Sequence, residues 1–251
     1  MWNQIKLLVG RQNALIRKDA QQLRSRFGRF IIIGLIMGAL FFNLNLETDG
    51  GMYSRGGLIF FMAIFVSLSS FGFLAVIMGN RAIFYKHKES HFYGSASYYL
   101  SVLVSDVPLA FIEILIFSLI TYWMCGLNAA ESGMRFFYFL LLMFITNVTM
   151  ANFIRAIAFN AANPDAAAGI APGFIVMFVF FSGFLLSRKE IPPWFIWLHY
   201  LSPVKYMVEG LMINEYDGLV FYPPNGTQGL PIEGMAYLDF AYDVTPEDPV
   251  L

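Results

Sequence analysis

The sequence predicts an all-α polytopic membrane protein. Three observations support this. Long apolar stretches recur along the chain, and Leu58–Met78 carries no charged side chain over 21 residues. As a helix that stretch is about 31 Å long, the thickness of a bilayer's hydrocarbon core. Only 13% of the 251 residues are charged, against roughly 25% in soluble domains. Basic residues also gather in alternate connections between the apolar stretches, as positive-inside topology requires.

Residues 1–29 come first and read as an amphipathic helix. Ile5, Leu8, Leu15 and Ile16 form a partial apolar stripe, with Lys6, Arg11, Arg17, Lys18, Arg24, Arg26 and Arg29 supplying charge. Such a segment suits the cytoplasmic headgroup layer. The alternative is a polar lead-in packed on another domain. Five spans follow, expected at about Phe30–Leu46, Gly56–Met78, Tyr98–Leu127, Met134–Phe159 and Ala166–Leu186. Ile191-Pro-Pro-Trp-Phe-Ile-Trp-Leu-His-Tyr-Leu201 is too short and aromatic to cross and reads as an interfacial or re-entrant segment. Residues 214–251 are acidic and rich in Pro and Gly, which predicts a loop region with one short helix. The chain thus divides into an amphipathic helix (1–29), a bundle (30–187) with an inner loop at 79–97, and an outer loop (188–251).

Orientation follows from the Lys and Arg distribution. A cytoplasmic N-terminus puts eleven of the 16 basic residues inside and five outside, so the N-terminus is expected inside. The sequon Asn225-Gly-Thr227 then falls outside, where it could be glycosylated. A second sequon, Asn147-Val-Thr149, lies within the fourth span and is expected to be inert.

Little else suggests chemistry. The sequence contains no phosphate-binding Gly-x-x-x-x-Gly-Lys-Ser/Thr loop and no nucleophile elbow. His87, His91 and His199 are scattered and predict no metal site, and no basic patch points to nucleic acid. The single cysteine, Cys125, excludes an internal disulfide. No catalytic residue is expected. Asp106 and Glu113, seven residues apart, share one face of the third span. Acids in a membrane are paired or functional. Pairing with a base such as Arg155 is one reading, and proton coupling or substrate contact is the other. The inner connection Asn80–Tyr99 is basic and aromatic. It is either a docking surface for a cytoplasmic partner or a solvated positive-inside loop.

Several segments together resemble one family. Arg81-Ala-Ile-Phe-Tyr-Lys-His-Lys-Glu-Ser-His-Phe-Tyr-Gly94 resembles the inner loop of the membrane domain of ABC exporters of the G subfamily, including the pleiotropic-drug-resistance type. Asp106-Val-Pro108 resembles the acid-x-Pro that opens their third span, and Arg11–Asp19 their connecting helix. Phe181-Ser-Gly-Phe-Leu185, Ile191-Pro-Pro-Trp194, Leu201-Ser-Pro-Val-Lys-Tyr206 and Asn214-Glu-Tyr216 resemble the end of the fifth span and the start of the outer loop. The resemblance covers the chain in order.

The resemblance implies a six-span membrane domain that works as a dimer with a second transmembrane domain, identical or different. It implies an ATP-driven exporter of hydrophobic or amphipathic molecules or lipids, with ATP and Mg on a nucleotide-binding domain outside this chain. By position, Phe61, Phe65 and Leu68 of span two and Pro172, Val176 and Val179 of span five would line the substrate cavity. Phe184 and Leu185 would form the outer gate, and Arg81, Phe84, Tyr85, Lys86, Lys88 and Tyr93 would belong to the coupling loop. The plasma membrane is the expected location. The family's Glu is replaced by Asn80, which puts its polar network in question. With no ATP-binding domain and no sixth span, the chain is expected to be part of a longer transporter. The alternatives are an ATP-independent carrier or channel built on Asp106 and Glu113, and a truncated scaffold that transports nothing.

Overall fold

A computed structural model describes residues 2–44, 49–128, 133–221 and 231–244. Asn225 lies outside them. The regular structure of the described residues is helical, apart from a two-residue antiparallel pairing of Val220–Phe221 with Ile232–Glu233.

The basic lead-in is two helices rather than one. Helix α1 (Trp2–Lys18) stops at Asp19, whose carboxylate caps α2 (Ala20–Leu40) by accepting from the Gln22 N–H at 3.0 Å. Residues 20–29 therefore form the first turns of the span helix. Ile5 is the buried residue of α1. The start of α5 (Ser95–Cys125) offers α1 a stripe of small buried residues, Ser97, Ser101 and Ser105, one turn apart. Ser97 donates to Gln4 there.

Helices α2 and α5 pack closely because α2 carries Gly34-x-x-x-Gly38. A Cβ on Gly34 would lie 3.3 Å from Phe117, and one on Gly38 would lie 2.9 Å from Cβ of Met124. The helices also join at the far end, where the Asn43 and Leu44 N–H groups donate to the Met124 and Cys125 carbonyls at 3.0 and 2.9 Å.

The second apolar stretch is broken. Helix α3 (Asp49–Ser69) and α4 (Gly72–Glu89) meet at Ser70-Phe71. Three serine hydroxyls compete for the carbonyls before the break: Ser67 donates to Ala63, and Ser69 and Ser70 both donate to Val66. Most of the expected inner loop (79–97) is thus the end of a helix, and only about 90–94 turns.

Helix α6 (Met134–Asn160) lies within one residue of the fourth expected span. Helix α7 (Pro164–Phe180), capped by Asn163, ends six residues before the expected Leu186. The chain then doubles back through α8 (Ile196–Leu201), α9 (Pro203–Tyr216) and, later, α10 (Gly234–Tyr242). This return explains the early stop. The Ser202 hydroxyl donates to the Phe178 carbonyl at 2.8 Å, and the His199 ring lies 3.0 Å from the Phe181 carbonyl. Both groups satisfy carbonyls that another helical turn would otherwise need.

Three stretches among the described residues are long and apolar enough to cross a membrane: Gly51–Glu89, Ser95–Cys125 and Met134–Asn160. Helix α7 is apolar but shorter. One apolar core runs through the bundle, including Met62, Val66, Ile114, Phe117, Met143, Ile154 and Ile175.

Candidate functional site

The polar side chains inside the bundle gather at two levels. One lies where α2, α4, α5 and α6 meet. Arg26 of α2 reaches both acids of α5: Nη1 is 2.8 Å from Asp106 Oδ1, and Nε is 2.6 Å from Glu113 Oε1. Its Nη2 is 3.2 Å from Glu113 Oε2, so the fork grips Glu113 at both oxygens. Asp106 also pairs with Arg155 of α6, which in turn donates to Asn152 at 2.7 Å. Charge alternates along Arg155, Asp106, Arg26 and Glu113. Phe73 of α4 lies between the two arginines, with its ring centroid 4.7 Å from the Arg26 guanidinium carbon and 4.8 Å from that of Arg155.

Both acids singled out in the sequence are therefore in one network. Arg155, one of the bases the sequence offered as a partner for these acids, pairs with Asp106. Arg26 was absent from the sequence reading of this site, where it counts only as charge on the lead-in helix. The missing signal was depth: because α2 begins at Ala20, Arg26 sits two turns into a helix that packs on α5. A cleft of about 430 Å³ opens beside the network, lined by Gln12, Asp19, Asn80, Asp106 and Arg155 among others. Asn80 stands on its wall as a neutral group.

The residues expected in a coupling loop separate into two sets. Phe84 is buried in an aromatic knot, with ring centroids 4.6 Å from Tyr98, 5.8 Å from Phe159 and 6.4 Å from Tyr93. Tyr93 stacks on Tyr98 at 5.7 Å and lies 3.1 Å from His87 Nδ1. Arg81 donates to the Ala158 carbonyl at 3.3 Å and to the Ala161 carbonyl, tying α4 to the end of α6. Tyr85, Lys86 and Lys88 are exposed.

The second polar level is at the other end of the bundle. Arg55 of α3 is fully buried and pairs with Glu215 of α9. It also donates to the Leu44 and Gly126 carbonyls at 3.0 and 3.2 Å. Arg135 holds Asp217 at 3.0 Å and the Asn214 carbonyl at 2.8 Å. Neither link was read from the sequence, because nothing local in it relates Arg55 to a partner 160 positions away. Beyond α9, burial pushes the Tyr237 phenol well above its usual range, and neighbouring Tyr242 adds to the shift.

The proposed cavity residues occupy mixed positions. Helix α3 is buried on most sides but leaves Tyr53, Phe61 and Leu68 exposed along one stripe. Phe65 turns into the bundle, with ring centroids 5.1 Å from Phe30 and 4.9 Å from Phe117. On α7, Val176 is exposed, Pro172 is half-buried and Val179 is buried. Phe184 is stacked between Phe60 at 4.6 Å and Tyr242 at 5.3 Å, and Leu185 is exposed. Asn147 is buried and lies 3.3 Å from Ser69 Oγ.

Comparison with known proteins agrees with this architecture. The sequence profile of the ABC-2 type transporter family matches residues 3–216. The chain is 37% identical over 219 residues to ABC transporter G family member 2 of Dictyostelium discoideum, covering 87% of this chain and 16% of that protein. It is 32% identical over 227 residues to the ABC multidrug transporter atrH of Aspergillus oryzae, covering 89% and 15%. It is 31% identical over 203 residues to the Brefeldin A resistance protein of Schizosaccharomyces pombe, covering 81% and 13%. The chain spans about one sixth of the length of these relatives. A helical bundle with membrane-spanning apolar stretches and a family match over most of its length lead to one conclusion: the chain belongs to the ABC-2 type transporter family, as an integral membrane domain of the G type.

Proposed function

We propose that this domain forms half of the translocation path of an ATP-driven exporter for hydrophobic or amphipathic small molecules or lipids. The observation that carries the proposal is the exposed apolar stripe Tyr53, Phe61, Leu68 on α3, a helix otherwise enclosed by its own bundle. Apolar side chains kept at the surface of a central helix suit a wall shared with a second transmembrane domain. Val176 on the neighbouring α7 would extend that wall, and Phe184 with Leu185 would close it outward. Phe65 would act from behind by supporting the wall. A cavity of this kind binds mainly by burial, at roughly 25 cal/mol per Å² of apolar surface, and tolerates varied shapes. Two relatives carry multidrug-transporter and brefeldin A resistance names, which fits such a cavity.

Coupling would enter through the end of α4. Lys86, Lys88 and Tyr85 face outward for a nucleotide-binding domain, which would hold the ATP and Mg. Arg81 and Phe84 fix the same helix to α6 and α5. Force applied there would reach the Arg26–Asp106–Arg155 network through Phe73. On this reading the N-terminus is cytoplasmic, the chain contributes five spans, and the plasma membrane is the working location.

The alternative, an ATP-independent carrier using Asp106 and Glu113, requires carboxylates free to exchange protons. Ionic links to Arg26 and Arg155 favour a structural role for both. The test is substrate-stimulated ATPase activity of the complete transporter carrying Phe61→Ala or Leu68→Ala. Altered stimulation at unchanged surface abundance is expected. An unaltered response in both variants would remove the cavity assignment. Proton-dependent flux lost in Glu113→Gln would favour the carrier.

A further inference from the structure

One cation near the ion-pair network is left over. Three arginines, Arg26, Arg29 and Arg155, face two acids, Asp106 and Glu113, and both acids are engaged by Arg26 and Arg155. Arg29 makes no ion pair among the described residues, and its buried Nε has no hydrogen-bond partner. Its guanidinium points toward α4, where a Cβ on Gly72 would lie 3.0 Å from Nη1. Together they line a groove of about 150 Å³ that also includes Gln22, Ser25 and Phe73.

The face of α2 that carries Arg29 changes character at that residue. Gln22, Ser25, Arg29, Ile32, Ile36 and Leu40 follow at steps of three and four, so they form one stripe. The stripe is polar up to Arg29 and apolar beyond it. Ile32, Ile36 and Leu40 are 59%, 49% and 74% exposed. A hydrogen-bonding pocket with a spare guanidinium therefore leads directly into an exposed apolar track.

We propose that this groove binds the phosphodiester of an anionic membrane lipid. Arg29 would bind the phosphate through its fork, Gln22 and Ser25 would meet the rest of the headgroup, and the acyl chains would lie along Ile32, Ile36 and Leu40. A guanidinium suits phosphate because its N–H groups match two oxygens at once. The spare positive charge selects an anionic headgroup over a zwitterionic one. A lipid, rather than free phosphate, follows from the apolar half of the stripe. Assigning the lipid to the inner leaflet rests on the orientation proposed above, whereas the site itself does not.

The experiment is native mass spectrometry of the purified full chain in detergent, titrated separately with phosphatidylglycerol, phosphatidylcholine and inorganic phosphate. One phosphatidylglycerol should bind tightly, several-fold better than phosphatidylcholine, and equimolar inorganic phosphate should not displace it. Arg29→Gln should weaken this binding at least about tenfold, the lower end of the range for a charged hydrogen bond. Arg24→Gln, at an exposed neighbouring position, should change it less than twofold. If Arg29→Gln does not accumulate, Arg29→Lys keeps the charge without the fork and should weaken binding severalfold. Equal binding by wild type and the Arg29 variant overturns the proposal. So does equal loss in Arg24→Gln, which would indicate diffuse charge, and displacement by phosphate, which would indicate a free-anion site. Indifference between the two lipids overturns it as well. None of these readouts involves drug response, so they fail or succeed independently of the substrate cavity.

Discussion

Replacing Arg26 with Gln tests the ion-pair network directly. The substitution keeps a polar side chain but removes the charge that both acids share. Asp106 retains Arg155, whereas Glu113, whose side chain is only 3% exposed, loses its ion-pair partner. Removing one member of a buried pair costs about 3–5 kcal/mol, because the other charge stays buried. Protonation limits that loss. Neutralising an ordinary carboxylate of pKa about 4.3 at pH 7 costs 2.7 × 1.36, or about 3.7 kcal/mol. The two routes give similar values, so Arg26→Gln should lose about 3–4 kcal/mol. In Arg26→Gln/Glu113→Gln no carboxylate is stranded, and the loss should fall to about 1 kcal/mol, that of an ordinary hydrogen bond. The assay is unfolding of the purified protein in detergent, arranged as a double-mutant cycle with Glu113→Gln alone. A coupling of about 2 kcal/mol or more is expected. Coupling below about 0.5 kcal/mol would show that Arg26 and Glu113 do not share a bond, and the four-helix network would lose its centre.

Other substitutions follow from the same geometry. Gly38→Ala should destabilise the protein by about 1–3 kcal/mol, since the new methyl meets the stem of Met124 as well as its sulfur; an unchanged melting temperature would contradict the close α2–α5 contact. Phe65→Ala should lower abundance, losing about 2–4 kcal/mol of packing against Phe30 and Phe117, whereas Phe61→Ala should leave expression unchanged and alter substrate-stimulated ATPase activity. Lys86→Glu with Lys88→Glu, both exposed, should separate ATPase activity from transport in the complete transporter; preserved coupling in vesicle uptake would remove their docking role.

The sequence revealed those helices whose limits are set by composition. Helix α6 starts where apolar residues begin and ends within one residue of the expected position. Helix α5 was evident for the same reason, with Gly126 in a left-handed conformation as its stop. Features set by distant contacts were not visible. The break at Ser70 is local but inconspicuous: three hydroxyls compete for backbone carbonyls three or four residues back, just before Gly72, in a stretch whose hydropathy never drops. The early end of α7 depends on Ser202 and His199 returning from beyond it. Helix α9 had local start signals, Ser202 as cap and Pro203 at the first turn. In the site, both acids were visible because charge is conspicuous in an apolar run. Arg26 was hidden among six other basic residues of its segment.

The joining of α2 to α5 has a mechanical consequence. The two helices are fastened at three heights: by Arg26 at one end, by Gly34 and Gly38 in the middle, and by backbone bonds from Asn43 and Leu44 at the other. Sliding one along the other would break all three fastenings together, while rotation would drive the glycines off their seats. The pair is therefore a stator. Were the bundle to change shape, the interruption at Ser70-Phe71 between α3 and α4 would move at less cost than this pair, since no ion pair crosses it among the described residues.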